Sequence, residues 1–138
     1  MIRDEILKKI QAEGLAILKL HDKLKELKID HEFIDRKAEQ VKRVKENEAL
    51  YFLYPFEYQI FLYEDGEKIS LIQSPMSYGI RDNLIEVYNF NQEPIVLCHE
   101  MAAVLINKKK LNSFIIDCND KNAEEVEKIK KVLKLLIN

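Results

Sequence analysis

Cysteine is scarce in this chain, which has only Cys98 and Cys118 among its 138 residues. Two cysteines are too few for the disulfide framework of a small secreted protein. We also expect no signal peptide, because the acidic pair Asp4-Glu5 stands where an apolar run would begin. No apolar run approaches the roughly 18 residues of a membrane span. We therefore expect a cytoplasmic protein with reduced thiols and no membrane contact.

Arginine is scarce as well, with 4 residues against 18 lysines, and the formal net charge is -2. The scarcity of arginine argues against a surface dedicated to binding phosphate. The small negative net charge gives no overall positive potential that would attract nucleic acid. Glycine and proline occur three times each, and 47% of the residues are hydrophobic, which excludes disordered and collagen-like chains. A chain of this length without repeats or linkers is expected to form a single domain over residues 1–138.

The aromatic residues are concentrated between residues 49 and 90, which hold all six tyrosines and four of the six phenylalanines. In this stretch the pair Asp65-Gly66 separates two β-rich runs, 58–63 and 68–73. Such a pair predicts a two-residue hairpin turn with positive φ at both positions. The first run is apolar on both faces, which favours a place near the middle of a sheet. An alternating run at 84–88 predicts a further strand.

The N-terminal flank has a helical pattern. Residues 4–28 carry apolar side chains at spacings of three, four and seven, which predicts a long amphipathic helix. Gly14 either kinks this helix or divides it into two. The apolar stripe approximates a heptad repeat, so a homodimer through the N-terminal helix is an alternative. Packing of the stripe on the protein's own sheet is the favoured interpretation, because such stripes are usually part of a core.

The complete pattern predicts an α+β fold, in which a mostly antiparallel sheet of four to six strands packs against long N-terminal and C-terminal helices. The C-terminal helix begins at a capping sequence that starts with Asn122. The remaining predicted segments are strands at 29–35, 95–97 and 114–116, a helix at 99–107, an apolar run at 49–54 and a short helix or loop at 36–48.

Several short segments resemble a type of small uncharacterised protein carried by phages and prophages of low-GC Gram-positive bacteria. The resemblance covers residues 24–107 and depends on Tyr58-Gln59-Ile60, on the turn Ser77-Tyr78-Gly79 and on the run Leu84-Ile85-Glu86 that follows it. The type has a tryptophan before the Gln-Ile strand, where this chain has Tyr58. The resemblance implies an accessory role in a phage or prophage and brings no catalytic signature with it.

The turn at 77–82 is one candidate binding site. A turn that contains glycine exposes backbone N–H groups, and an arginine adds a fixed positive charge. Ser77, Tyr78, Gly79 and Arg81 are therefore candidates for binding a phosphate or a carboxylate. A purely structural turn, in which Arg81 pairs with a nearby acid, is the favoured interpretation, because a single glycine turn is a far weaker signal than a P-loop.

A basic segment at 36–45 is the candidate site for nucleic acid. Acidic residues are interspersed with its basic ones, so a solvated surface segment is the favoured interpretation. The basic residues are Arg36, Lys37, Lys42, Arg43 and Lys45.

Catalysis or metal binding would depend on Cys98, His99 and Cys118. Neighbouring side chains in a strand or helix point in different directions, so Cys98 and His99 do not converge on one centre by themselves. A thiol nucleophile would need a base brought from elsewhere, such as His21 or His31. No CxxC or HExxH spacing is present, so we expect these side chains to pack in the structure and expect no metal or cofactor.

Three functions follow from these patterns, in order of preference. The first is a non-enzymatic module that binds a protein partner, because tyrosines gathered on an exposed sheet face are typical of interfaces. The second is a nucleotide-binding or nucleic-acid-binding protein that uses Arg81 and the segment at 36–45. The third is a small hydrolase or metal protein that uses Cys98 and His99.

Overall fold

The computed structural model describes residues 4–46, 55–120 and 122–137. It confirms the predicted α+β fold, in which helices precede and follow a five-stranded antiparallel sheet in the sequence. The strands are β1 Glu32–Asp35, β2 Tyr58–Glu64, β3 Glu67–Gln73, β4 Ile85–Asn89 and β5 Ile95–Leu97. The helices are α1 Asp4–Glu13, α2 Ala16–Glu26, α3 Lys37–Glu46, α4 His99–Asn107, α5 Leu111–Asp120 and α6 Ala123–Ile137.

The sheet is a meander in which each strand pairs with the next one along the chain, in the order β1-β2-β3-β4-β5. The predicted hairpin is confirmed, because Tyr58 pairs with Gln73 at one end and Glu64 with Glu67 at the other. Asp65 and Gly66 form the turn with φ of 51° and 81°. Positive φ at both positions matches the right-handed twist of the two strands. β2 is an interior strand, with β1 and β3 on either side of it.

One face of the sheet forms the core. Side chains alternate along β2, β3 and β4, and every second one is buried on the face that the helices cover. Helix α2 contacts β2, β3 and α4, while α5 contacts β4 and α6 contacts α4. The fully buried residues of this layer come from β2, β3, β4 and α2, and they include Ile60, Ile69, Leu71, Ile85, Val87, Ile17, Leu20 and Leu24. The apolar stripe of the N-terminal segment is therefore part of the protein's own core.

The N-terminal segment consists of two helices, and the break falls at Gly14, which has a φ of 97°. Leu15 precedes α2 and has no side chain that caps the helix. The first turn of a helix leaves N–H groups without intrahelical partners. In α2, two distant side-chain amides provide these partners. Asn83 Oδ1 accepts the N–H of Ala16 at 3.0 Å, and Gln73 Oε1 accepts the N–H of Ile17 at 3.0 Å.

The same two amides connect the helix break to the sheet. Gln73 is fully buried at the end of β3, and its Nε2 donates to Asn83 Oδ1 at 2.8 Å. Asn83 Nδ2 in turn donates to the carbonyl of Gly14 at 2.8 Å. Asn83 adopts a left-handed conformation with φ of 53°, which asparagine tolerates better than most residues. Residues far apart in sequence thus fix the start of α2.

The prediction of a strand at 114–116 is wrong, because these residues lie within α5. A short apolar run fits a buried helix as well as a strand, and periodicity does not separate the two. Glu64 marks the start of the helix: it is buried on β2, and its Oε1 accepts the N–H of Asn112 at 3.0 Å. Burial raises the pKa of Glu64.

The other flanking segments follow their predictions. The segment at 36–48 contains helix α3, and 99–107 is helical over its whole length. Asn122 caps α6, since its Oδ1 accepts the N–H of Glu125 at 3.0 Å. The predicted apolar run at 49–54, with two of the tyrosines, lies outside the described residues. Among the residues that are described, no helix combines the length and apolar character that crossing a bilayer requires.

Candidate functional site

The turn at 77–82 is held together by its own hydrogen bonds. Ser77 is buried, its Oγ donates to the carbonyl of Ser74 at 2.9 Å, and the same oxygen accepts the N–H of Ser74 at 3.0 Å. The N–H of Tyr78 donates to Glu86 Oε2 at 3.4 Å. A carboxylate of the protein therefore contacts the amide that a bound anion would need.

Gly79 is required by close packing. It has a φ of 78°, and a Cβ at this position would lie 2.9 Å from Val96 Cγ1 and 3.0 Å from Leu84 Cβ. Arg81 is exposed on the short 3-10 helix Ile80–Asp82 that follows. The geometry favours a structural turn, because Ser77 and Gly79 serve the packing of the turn itself.

The two arginines of the basic segment face acids and amides of the protein. Arg36 Nε donates to Gln59 Oε1 at 2.7 Å, and its Nη1 lies 3.2 Å from Glu39 Oε2. Arg43 Nη1 lies 3.1 Å from Oε1 of Glu57, a carboxylate that is almost fully buried. A buried carboxylate requires such a partner, so Arg43 has a structural role. The remaining basic residues, Lys37, Lys42 and Lys45, are exposed.

The candidate catalytic residues do not form one centre. Cys98 and Cys118 are half-buried and pack against the core. His99 begins α4, its Nε2 lies 3.7 Å from Glu100 Oε1, and burial lowers its pKa. Within 4–46, 55–120 and 122–137, no group of three or more histidine, cysteine or acidic residues has the geometry of a metal site.

One cleft brings together residues from two of the predicted sites. Tyr78, Gly79 and Cys118 line a cleft of about 450 Å³ beside β5. Most of its other walls are apolar, and Val96 and Phe114 are among them. This lining provides no matched set of polar groups for a phosphate, and it combines no histidine with the thiol.

The two histidines that a catalytic thiol would need are paired with each other. His31 Nδ1 donates to the carbonyl of Ile29 at 2.8 Å, so its Nε2 is the acceptor for His21 Nδ1 at 2.8 Å. The His21 ring also stacks on Phe33, with the ring centroids 3.9 Å apart. Burial, and next the charge of His31, lower the pKa of His21. Both rings therefore connect α2 to β1.

The outer face of the sheet, opposite the core, carries four aromatic side chains near the hairpin turn. We call Phe61, Tyr63, Tyr88 and Phe90 the aromatic patch. Tyr63 is 72% exposed and Phe90 is 54% exposed. The rings of Tyr88 and Phe90 meet edge to face, with centroids 5.4 Å apart. Such edge-to-face contacts hold rings in defined positions.

The patch consists of two ridges, one on β2 and one at the end of β4, with β3 between them. Strands lie about 4.8 Å apart, so the ridges are separated by roughly 10 Å. Ser70 and Lys68 of β3 form the floor between them, opposite Phe61 and Tyr63 respectively. Gln59 Nε2 donates to Ser70 Oγ at 2.9 Å, and Lys68 Nζ lies 4.3 Å from the centre of the Phe61 ring.

Acidic residues surround the β2 side of the patch. Glu32 of β1 and Asp65 of the hairpin turn are both exposed. A cleft of about 560 Å³ opens between the start of β1 and β2, and we call it the β1–β2 cleft. Its lining consists of Asp30, His31, Glu32, Phe61, Leu62 and Tyr63. The cleft and the aromatic patch therefore share two rings.

The sequence predicts a tyrosine-bearing sheet face for the tyrosines as a group and does not single out Phe61, Phe90 or Lys68. The alternation at 61–63 and 88–90 was the signal that places each pair on one side of a strand. Which face of the sheet these pairs occupy depends on the register of the whole sheet.

Comparisons with protein-family models, with curated proteins and with solved structures find no match for this chain.

Proposed function

We propose that this protein is a non-enzymatic binding module and that the aromatic patch contacts a protein partner. The observation that carries the proposal is the exposure of Tyr63 on β2 and of Phe90 directly after β4, at the edge of a hydrogen-bonded sheet face. Aromatic side chains are enriched in interfaces, where they supply large contact areas at a low cost in conformational entropy. A sheet that holds them in place lowers that cost further.

Charge favours a protein partner over nucleic acid at this surface. Aromatic rings on a sheet also stack with bases, but a nucleic-acid site needs cations near the phosphates. Here Glu32 is the cross-strand neighbour of Phe61, Asp65 lies in the turn that follows β2, and Lys68 is already placed over Phe61. The alternative based on Arg81 and the segment at 36–45 has less support, since both arginines of that segment contact the protein's own side chains.

The biological setting of the proposal comes from the sequence. The resemblance to small phage and prophage proteins supports an accessory role in the cytoplasm, directed at a protein of the host or of the phage. A homodimer through the N-terminal helix has little support, because Ile17, Leu20 and Leu24 are fully buried within the chain. An interface between two copies would have to use another surface.

The test is a comparison of two sets of variants against a partner identified by photo-crosslinking from position 63 in cells that express the chain. Tyr63→Ser and Phe90→Ser should each weaken the measured Kd by about 30-fold, the equivalent of roughly 2 kcal/mol at an interface hot spot. Val132→Ser and Leu135→Ser are the matched control, because these residues are 56% and 77% exposed on α6, which packs against α4. Equal losses in both sets would contradict the proposal.

A further inference from the structure

We infer that the partner presents a basic segment, with an arginine or lysine side chain entering the β1–β2 cleft beside the aromatic patch. This inference rests on the proposed function and adds the chemistry of the partner. It is carried by the complementarity between a cation and a cleft that has carboxylates on one side and aromatic rings on the other.

The carboxylate side of the cleft is formed by Asp30 and Glu32, which are both exposed. No lysine or arginine is among the residues that line the cleft. His31 also lines it, but both of its ring nitrogens are engaged, with the carbonyl of Ile29 and with His21. A guanidinium or ammonium group can form charge-assisted hydrogen bonds with the two carboxylates.

The aromatic side of the cleft is formed by Phe61 and Tyr63. The face of an aromatic ring attracts cations through its quadrupole, within about 6 Å of the ring centre. The protein already shows this interaction, since Lys68 Nζ lies 4.3 Å from the centre of the Phe61 ring. A cation from a partner would therefore form a cation–π contact of the same kind as the one between Lys68 and Phe61.

The size of the cleft and the charge around it fit a long basic side chain. A volume of about 560 Å³ accommodates the stem and head group of an arginine. Asp65 in the adjoining turn extends the negative charge beyond the cleft. These charges repel acidic segments and nucleic acid, and they increase the association rate of a basic segment at low salt.

The experiment selects binders from a displayed library of short random peptides on the wild-type protein, with a single-stranded oligonucleotide as a separate probe. We expect the selected peptides to be enriched in arginine and lysine and to lose binding with Tyr63→Ser. Asp30→Asn combined with Glu32→Gln should weaken these peptides by at least about tenfold, because each substitution removes the charge and keeps the shape. Glu5→Gln combined with Asp117→Asn, which removes two exposed acids elsewhere, should leave their binding unchanged.

The outcomes separate the two proposals. Peptides that depend on Tyr63 but are not enriched in basic residues, or that bind the Asp30→Asn, Glu32→Gln variant as well as the wild type, would overturn the inference and leave the proposed function standing. Selection of no peptide that depends on Tyr63 or Phe90 would overturn both. Binding of the oligonucleotide with loss in the Tyr63→Ser variant would also overturn both.

Discussion

Replacement of Asn83 should be among the most damaging single changes outside the apolar core. Its side chain accepts the N–H of Ala16 and the amide of Gln73 through Oδ1, and it donates to the carbonyl of Gly14 through Nδ2. Leu15 at the capping position has no side chain that caps α2, and Asn83 is the side chain that accepts the first N–H of this helix. Loss of Asn83 leaves these partly buried groups without their partners.

The magnitude follows from the three hydrogen bonds and the backbone conformation. Three bonds at about 1 kcal/mol each give roughly 3 kcal/mol. Alanine at a φ of 53° adds about 1 kcal/mol of backbone strain, which glycine avoids. We therefore expect Asn83→Ala to lower the free energy of unfolding by about 4 kcal/mol and Asn83→Gly by about 3 kcal/mol. Asn83→Asp keeps the acceptor oxygen at the N-terminus of α2 but turns its second carboxylate oxygen towards the carbonyl of Gly14, so it should cost about 2 kcal/mol.

Urea unfolding followed by circular dichroism measures this series directly. Domains of this size lose about 4 °C in Tm for each kcal/mol, so Asn83→Ala should lower Tm by roughly 15 °C while the protein still folds at room temperature. The distinguishing result is the order of the losses in the free energy of unfolding, which should be largest for alanine, smaller for glycine and smallest for aspartate. Losses below about 1 kcal/mol for both alanine and glycine would refute the reasoning, as would an aspartate variant as unstable as the alanine variant.

Three further changes test separate contacts. Glu64→Gln keeps the acceptor for the N–H of Asn112 and removes a buried charge, so its stability to urea at neutral pH should equal or exceed that of the wild type. Glu64→Ala removes the acceptor and should lose about 1–2 kcal/mol. Equal losses for the two variants would contradict the capping role. Gly79→Ala forces a Cβ against Val96 at positive φ and should cost at least about 2 kcal/mol, and an unchanged Tm would contradict the packing. The pKa of His21 is lowered in the folded state, so the unfolded chain binds a proton to this ring more tightly than the folded protein does. The contribution of His21 to the free energy of unfolding is therefore complete above the unfolded pKa, about 6.5. It is lost as pH falls through that value towards the folded pKa. His21→Gln should flatten this part of the stability profile relative to the wild type, and identical slopes would contradict it.

The sequence predicted the elements whose signals are local. Asp65-Gly66 specifies a two-residue turn without help from the rest of the chain, and both neighbouring runs are rich in β-forming residues, so the hairpin is predicted from local sequence. The cap of α6 followed in the same way, because Asn122 stands three residues before Glu125. Such features need only neighbouring residues.

Features that depend on distant residues were not predicted. The start of α2 is fixed by Gln73 and Asn83, which are 56 and 67 residues away from the groups that they bind. The strand predicted at 114–116 is part of α5, whose first N–H groups need Glu64 from β2 as a partner. Short apolar runs carry no information about such partners.

The candidate surface was predicted only in outline. Alternation places Phe61 with Tyr63 and Tyr88 with Phe90, but the two pairs become neighbours only through the register of β2, β3 and β4. The exposure of the surface depends on which face the helices cover, and that is a property of the complete fold.

Tyrosine labelling of the free and partner-bound protein, read by mass spectrometry, tests the central claim most directly. Tyr63 lies on the aromatic patch, and Tyr78 is an internal reference at 68% exposure on the turn beside β5, outside the patch. Both should be modified in the free protein. In the complex, modification of Tyr63 should fall sharply while that of Tyr78 continues. Protection of Tyr78 with continued modification of Tyr63 would show that the partner binds elsewhere and would contradict the account.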